Sequence, residues 1–314
     1  MGPYTPERLS PAPSQQMKIL YIRQVSEQTQ STAHPDDRPD IFRVLFIGEI
    51  VGSSGVFCVK TLLPRIKKEK NIDFVIADGE GATGGFGIGK NHSIYLHKLG
   101  IDVITSGECI YYKKDMVPHI VNASYILRPA NYPYGNPGRG WVVFKRNGTK
   151  VGVVSLLGQS GFGRVHLANP FLTLPGIVEK IKRETDIIIV DFHATTTAEK
   201  NTMFYHMDGK ISALIGTHFK VLTSDERVMP GGTAVITDAG RTGSFDSVGG
   251  LVPEIEIAKF RTQIPERSKT AWKCLELQGV LLDINADGSA AGIERLKVEC
   301  KQTPNDHNGH NQRN

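Results

Sequence analysis

Between residues 41 and 300 the chain alternates short apolar runs with glycine-rich or polar stretches. The runs at 41–48, 72–78 and 101–107 are rich in β-branched and other apolar residues, so each predicts a buried strand. After the first run, apolar residues recur at helical spacing and predict a helix with one buried side: Val56, Val59, Leu62, Leu63 and Ile66. This part of the chain therefore alternates strands with helices, as layered α/β domains do.

The second half of the chain predicts further strands and a hairpin. Two apolar runs within 140–158 flank an Asn-Gly dipeptide, which is the strongest short-range signal for a β-hairpin turn. The segments 186–193 and 210–218 predict buried strands, and the segments 231–240 and 278–299 add more β structure. The whole pattern predicts an α/β domain that contains either one mixed sheet or two packed sheets.

The length and composition allow one large domain or two small ones, since the chain has 314 residues, of which 39% are hydrophobic and 22% charged. Residues 1–40 are rich in Pro, Gln, Ser and Thr and predict a flexible N-terminal extension. Residues 301–314 predict a polar tail, which leaves 41–300 as the folded domain. No apolar run approaches the roughly 20 residues of a membrane span, so we expect no membrane association.

Charge and cysteine content predict a reduced, cytoplasmic protein. The net charge is +5, and part of the basic excess lies in one run between Arg65 and Lys70. This run is typical of a solvated helix end, so it is no strong nucleic-acid signal, although a small phosphate-bearing ligand is compatible with the charge. The four cysteines are dispersed and no pair has C-x-x-C spacing, which favours free thiols.

Ionisable residues follow the predicted strands at five separate places. In open α/β sheets, functional side chains gather beyond the carboxyl ends of the strands. The residues at these ends are Glu49, Asp78, Glu80, Glu108, Cys109, Asp191, His193, His218 and Lys220. Each alone is typical of a loop or a helix cap, but carboxylates and imidazoles together suit divalent ions such as Mn, Fe or Zn. The pattern therefore predicts a metal site.

A glycine-rich loop after the second predicted strand has the outline of a nucleotide-binding P-loop. Gly84 to Lys90 reads G-x-x-x-x-G-K, but Asn91 stands where a P-loop has the Ser or Thr that holds Mg²⁺. Glycines that let the backbone approach a ligand explain the loop as well. A P-loop-like NTPase is thus an alternative, and the rim of a metal site is the favoured interpretation.

Several segments carry a resemblance to a known family. They are VLFIGEIVGSSG, ADGEGATGGFGI, LRPANYP, VDFHATTTAEK, IGTHFKVLTSD and GTAVITDAGRTGSFDSVGG. In order and spacing, from about residue 42 to 297, they resemble the YmdB-like branch of the calcineurin-like metallophosphoesterases. The resemblance implies an α/β/β/α four-layer sandwich with two mixed sheets. It also implies two metal ions and hydrolysis of phosphodiesters, with 2′,3′- and 3′,5′-cyclic nucleotides as the associated substrates.

Mapped residue by residue, the resemblance implies metal ligands, some of which are retained. Glu80 stands at the bridging glutamate, and His193 and His218 stand at family histidines. Glu49 replaces the aspartate that ends the first strand. Glu108 replaces a metal-ligand asparagine.

Three other family positions are changed more severely. Gly81 replaces the asparagine that follows the bridging glutamate, at a position assigned to substrate binding. Cys109 replaces the catalytic histidine, and we interpret it as a small space-filling residue rather than a reactive thiol. Lys220 replaces the second histidine of a pair.

These substitutions predict an altered site. Glu80, Glu108, His193 and His218 would surround one divalent ion (Mn, Fe, Zn or Mg), and the protein would hold one ion rather than two, or none. Lys220 would either fill the other metal position beside Glu49 as an internal cation or act as a solvated loop lysine.

Three functions follow as alternatives. The first is a phosphodiesterase with weak or lost activity, since the family's proton-donor histidine is absent. The second is a catalytically inactive binding or assembly protein on the same scaffold, with the N-terminal extension as a possible contact for a protein partner. The third is the NTPase. The expected ligand is a small phosphate ester or cyclic nucleotide, and a homo-oligomer is compatible with the family.

Overall fold

The computed structural model describes residues 41–163 and 166–301. The predicted extension at 1–40 and residues 302–314 of the predicted tail lie outside the described residues. Among the described helices, none is long and apolar enough to cross a membrane.

Two β-sheets form the centre of the domain. The first sheet contains β1 (Phe42–Ile47), β2 (Glu49–Ile50), β3 (Phe74–Asp78), β4 (Val103–Thr105), β11 (Arg241–Ser244), β12 (Leu275–Ile284) and β13 (Ala290–Glu299). The second sheet contains β5 (Trp141–Arg146), β6 (Thr149–Leu157), β7 (Ile188–His193), β8 (Ala213–Thr217), β9 (Arg227–Val228) and β10 (Ala234–Ile236). The described helices are α1 (Gly52–Glu69), α2 (Lys90–Lys98), α3 (Met116–Ile120), α4 (Pro170–Ile181), α5 (Thr197–Met207) and α6 (Pro253–Thr262).

Both sheets are mixed. The first has the order β2-β11-β12-β1-β3-β4 with β13 added beside β12, and β1, β3 and β4 are parallel while β12 is antiparallel to β1. The second has the order β5-β6-β7-β8-β10-β9, in which β6, β7, β8 and β10 are parallel. The predicted hairpin joins β5 to β6 through Asn147 and Gly148, whose φ values of 48° and 89° fit a type I′ turn.

Three apolar clusters divide the domain into four layers. The middle cluster lies between the two sheets and includes Phe46 and Ile189. One outer cluster joins the first sheet to α1 and includes Leu63, and the other joins the second sheet to α4 and α5 and includes Phe204. Each such fully buried side chain contributes about 1.5–3 kcal/mol. This arrangement confirms the predicted α/β/β/α sandwich with two mixed sheets.

The first strand ends in a break that the sequence pattern does not predict. A Cβ atom at Gly48 would lie 2.5 Å from the carbonyl oxygen of Ala239, so only glycine allows this close approach of the two backbones. After the break, β2 pairs with β11 instead of continuing beside β12, and Glu49 lies opposite Arg241. The break carries Glu49 to the edge where β3, β4, β7 and β8 end.

Candidate metal centre

Glu80 lies just beyond β3 and is held by the loop that follows β4. Its carboxylate accepts a 2.7 Å hydrogen bond from the backbone N–H of Gly107 and a second bond from the N–H of Cys109. Its own N–H donates to Asp78 Oδ1 at 2.8 Å, and the residue is buried. These bonds join two loops of the first sheet and fix the Glu80 carboxylate at the sheet edge.

Three further side chains meet beside it. His193 Nε2 lies 3.2 Å from Glu108 Oε2 and 3.0 Å from His218 Nδ1. Ligand atoms of Glu108, His193 and His218 lie within 4.8 Å of one another, and so do those of Glu80, Glu108 and Cys109. We call Glu80, Glu108, His193 and His218 the histidine side of the site.

Two buried hydroxyls orient the His193 ring. Thr217 Oγ1 donates to Asp191 Oδ1 at 2.7 Å, so it accepts the proton of His193 Nδ1 at 2.9 Å. Thr105 Oγ1 donates to the other oxygen of the same aspartate. The network directs Nε2 toward Glu108 and His218, as in metal-binding histidines whose other nitrogen donates to a protein group.

Glu49 and Lys220 form a separate pair, which we call the lysine side. Lys220 Nζ lies 2.9 Å from Glu49 Oε1, and Glu49 is 1% exposed. A Cβ at Gly81 would lie 2.6 Å from Glu49 Oε1, so glycine is needed there to make room for the carboxylate. The Lys220 ammonium also lies 6.0 Å from the centroid of the Phe86 ring.

The segment that carries His218 and Lys220 has an unusual backbone. Both residues adopt positive φ, 101° and 62°, a conformation that non-glycine residues rarely hold without support. Such positions cost on the order of 1–3 kcal/mol each, so the surrounding structure must stabilise them.

A buried ion pair supplies that support. Lys200 is fully buried, donates to the carbonyl oxygen of Thr217 at 2.7 Å and lies 3.4 Å from Asp238 Oδ2. Asp238 Oδ2 accepts from the N–H of Phe219 at 2.7 Å, and Lys200 Nζ lies 3.9 Å from the centroid of that ring. The pair therefore holds the backbone on both sides of His218.

Unpaired carboxylate oxygens test whether these residues fit a cation. Among the described residues, no donor forms a directed hydrogen bond to either oxygen of Glu49, to Asp78 Oδ2 or to Glu108 Oε2, although Lys220 Nζ lies near Glu49 Oε1. A buried carboxylate oxygen without a donor costs free energy unless a cation neutralises it. The hard oxygens and imidazole nitrogens present are ligands that divalent metals accept, so the donor set fits such an ion.

Three groups of the site have raised pKa values, for different reasons. Burial and then the Glu108 charge raise the pKa of Glu80 to about 8. Burial raises the pKa of Glu49 to about 7, although the Lys220 charge opposes this effect. Burial lowers the pKa of His193, but Asp78 and Glu108 outweigh it and raise that pKa above the usual value. The cluster thus attracts positive charge, and a metal ion would compete with these protons.

Cys109 lies in the same cluster and stays a neutral thiol. Its Sγ lies 3.8 Å from Glu108 Oε1. Burial and then the Glu80 charge raise the pKa of the thiol above its usual value. A thiol with a raised pKa is a poor proton donor and a poor nucleophile at neutral pH.

The glycine-rich loop does not form a phosphate cradle at Lys90. The N–H of Gly89 donates to Thr83 Oγ1 at 2.8 Å, and the N–H of Lys90 donates to Asp115 Oδ2 at 3.0 Å. The start of α2 is thus occupied by side chains of the protein itself, and Lys90 is exposed. This geometry does not support the NTPase interpretation.

Residues 45–296 match the YmdB-like protein family. The chain belongs to this family. It is 37% identical over 257 residues to a 2′,3′-cyclic-nucleotide 2′-phosphodiesterase of Bacillus subtilis. The alignment covers 82% of this chain and 97% of that protein. The family assignment confirms the resemblance that the sequence motifs predict.

Solved structures agree with the YmdB-like assignment. A novel phosphatase from Mycoplasma pneumoniae superposes with a TM-score of 0.77 at 32% identity, over 83% of this chain and 95% of that one. A 5′-nucleotidase from Candida albicans has a TM-score of 0.51 at 14% identity, over 82% of this chain and 51% of that one, which shows the fold alone.

The residues predicted for the site lie together, and their roles as ligands remain a prediction. The sequence interpretation missed Lys200, which belongs to the site through the backbone it holds. A signal for it exists, because Lys200 occupies the apolar side of α5 together with Met203, Phe204 and Met207. A lysine at a core position of a helix needs a buried partner, which here is Asp238.

Proposed function

We propose that this YmdB-like protein binds a phosphodiester of the cyclic-nucleotide class beside one divalent cation, and that it hydrolyses this ligand weakly. The family assignment and the similarity to a 2′,3′-cyclic-nucleotide 2′-phosphodiesterase support the ligand class. The differences between the histidine side and the lysine side support the weak hydrolysis.

The histidine side would hold the cation. Glu108, His193 and His218 offer ligand atoms within 4.8 Å of one another, and Glu80 adjoins Glu108. A bound divalent ion supplies charge neutralisation at phosphoryl oxygens and makes water a better nucleophile. Thr217 keeps the His193 ring oriented, so the chain itself fixes the direction of one ligand.

The observation that carries the proposal is the contact of 2.9 Å between Lys220 Nζ and Glu49 Oε1. An ammonium group in this position neutralises the buried carboxylate and repels a second divalent ion. Burial lowers the pKa of Lys220, but the Glu49 charge outweighs it and raises that pKa, so the lysine stays charged. Lysine has three N–H donors, which would contact phosphate oxygens of a bound ligand.

Weak hydrolysis follows from the missing proton donor. The family's histidine position holds Cys109, whose thiol is buried and neutral. General acid catalysis typically contributes 10²–10⁴-fold, and a group with a pKa far above 7 contributes little of it. The same observation supports a second candidate, a protein that binds the phosphodiester without turnover.

Hydrolysis of 2′,3′-cyclic AMP with Mn²⁺ tests both candidates. Combined Glu108→Asn, Cys109→His and Lys220→His substitutions restore the family residues, and we expect at least a tenfold gain in kcat. Cys274→His, at an exposed cysteine, is the matched control and should change nothing. Binding without turnover in the wild-type protein would favour the second candidate, and efficient wild-type turnover that the triple substitution lowers would contradict the proposal.

A further inference from the structure

A basic groove lies on the outer side of the glycine-rich loop that follows Glu80. Its volume is about 700 Å³, within the range of sites that hold nucleotide-sized ligands. Its lining includes four cationic side chains, Lys113, Lys259, Arg267 and Lys269, and one carboxylate, Glu266. The groove therefore carries a local excess of positive charge beside the proposed metal centre.

Two aromatic rings also line this groove. Phe86 and Trp272 are each 42% exposed, which is unusual for rings of this size. Trp272 packs edge-on against Phe57 with the ring centroids 5.9 Å apart, so its position is supported from one side. Exposed aromatic rings beside cations are the combination with which proteins bind the bases and phosphates of single strands.

The segment that supplies Arg267 and Lys269 is anchored to the domain. Lys259 on α6 donates to Ser268 Oγ at 2.9 Å and to Glu256 Oε2 at 2.8 Å. The N–H of Val252 donates to the carbonyl oxygen of Lys269 at 2.9 Å. The groove is thus a formed feature of the fold, although Glu256 partly neutralises Lys259.

Phe86 connects the groove to the lysine side. Its ring lines the groove, and the centroid lies 6.0 Å from the Lys220 ammonium that contacts Glu49. A ligand with one phosphate at Lys220 therefore has a short path to the groove for its next nucleotide unit.

We infer that the groove binds the second nucleotide of the substrate, so that the substrate class is a dinucleotide or short single-stranded oligonucleotide that ends in a phosphodiester. This inference rests on the proposed function of the metal centre. The cations would contact the additional phosphate, and Phe86 and Trp272 would contact the additional base.

Binding of two ligands with Mn²⁺ present separates the groove from the metal centre. The ligands are 2′,3′-cyclic AMP and the dinucleotide ApA with a terminal 2′,3′-cyclic phosphate, and Trp272 fluorescence in a Trp141→Phe background reports binding. We expect the dinucleotide to bind about tenfold more tightly. Arg267→Glu with Lys269→Glu should abolish this advantage and leave the affinity for the mononucleotide within about twofold of wild type.

The matched control has the same change in net charge. The control variant is Arg65→Glu with Lys68→Glu. These two residues lie near the C-terminal end of α1, about 20 Å from its N-terminal end, where Ser53 lines the groove. This variant should preserve the advantage of the dinucleotide. In addition, Trp272→Ala should weaken dinucleotide binding by about tenfold in a calorimetric titration, and Trp272→Phe should retain most of it.

The outcomes distinguish the two proposals. Equal affinity for both ligands, or an equal loss in both double variants, overturns the groove inference and leaves the metal centre standing. Dinucleotide binding that depends on Arg267 and Lys269, without any mononucleotide binding, supports the groove and contradicts the proposed function. Absence of binding by either ligand overturns both.

Discussion

The histidine side and the lysine side occupy the same sheet edge but neutralise their carboxylates differently. On the lysine side, the ammonium group of Lys220 lies 2.9 Å from Glu49. On the histidine side, Glu108 Oε2 has His193 Nε2 at 3.2 Å, and no described donor forms a directed hydrogen bond to it. Both carboxylates therefore have a partner within the chain. The partner of Glu49 is an ammonium group, and the partner of Glu108 is an imidazole, which binds a metal ion once it has lost its proton.

If Lys220 takes the place of a second ion, as we propose, the comparison shows how a side chain replaces one side of a two-cation site. An ammonium group supplies one positive charge and directed N–H donors, but it has no free coordination position for water. Under this proposal, substrate charge is neutralised on both sides, while activation of water is restricted to the histidine side. Binding and hydrolysis would then be separable properties of the two sides.

The largest effect is expected where both sides depend on the same support. Lys200→Met removes the ammonium that holds the segment between Thr217 and Lys220 and leaves Asp238 buried without its partner. We expect a loss of about 3–5 kcal/mol in the free energy of unfolding, measured with urea. The double variant Lys200→Met with Asp238→Asn should recover part of this loss, and a change below 1 kcal/mol in the single variant would show that the pair is not needed.

Removing one imidazole should affect only the histidine side. His193→Ala deletes the ring that Thr217 orients, and we expect the affinity for Mn²⁺ to fall by at least about 100-fold in calorimetric titrations. His206→Ala is the control, at a half-buried histidine of α5 that contacts Phe171, and it should leave the affinity unchanged. If the His193→Ala protein retained wild-type affinity, the histidine side would not be the cation site.

A smaller effect is expected from pH in the metal-free protein. The pKa values of Glu80 and Glu49, about 8 and about 7, lie above those of unfolded glutamates, so the folded state binds more protons. His193, whose pKa is also raised, acts in the same direction. Stability should therefore fall as pH rises from 7 to 8.5, by about 1 kcal/mol.

Thermal and urea unfolding in EDTA and in Mn²⁺ would measure this pH dependence. An ion bound at the proposed site would replace the extra protons, so the decline should be smaller in Mn²⁺ than in EDTA. A stability that rises over this range in EDTA would contradict the assigned pKa directions.

Much of the fold and the set of site residues could be predicted from the sequence. Continuous apolar runs predict the buried strands. Residues at the carboxyl ends of adjacent parallel strands must meet at one edge, as Glu80 and Glu108 do after β3 and β4 and as His193 and His218 do after β7 and β8. The break at Gly48 could not be predicted, because it results from contact with Ala239, about 190 residues later in the chain. The positive charge of the groove could not be predicted from the sequence either. Lys113 and Arg267 come from distant segments that only the fold brings together.

The number of divalent ions bound per chain tests the central claim most directly. Elemental analysis of the purified protein after saturation with Mn²⁺ should give one ion per chain if Lys220 takes the place of a second ion beside Glu49, as we propose. The Lys220→His variant should give two. Two ions per chain in the wild-type protein would contradict the account.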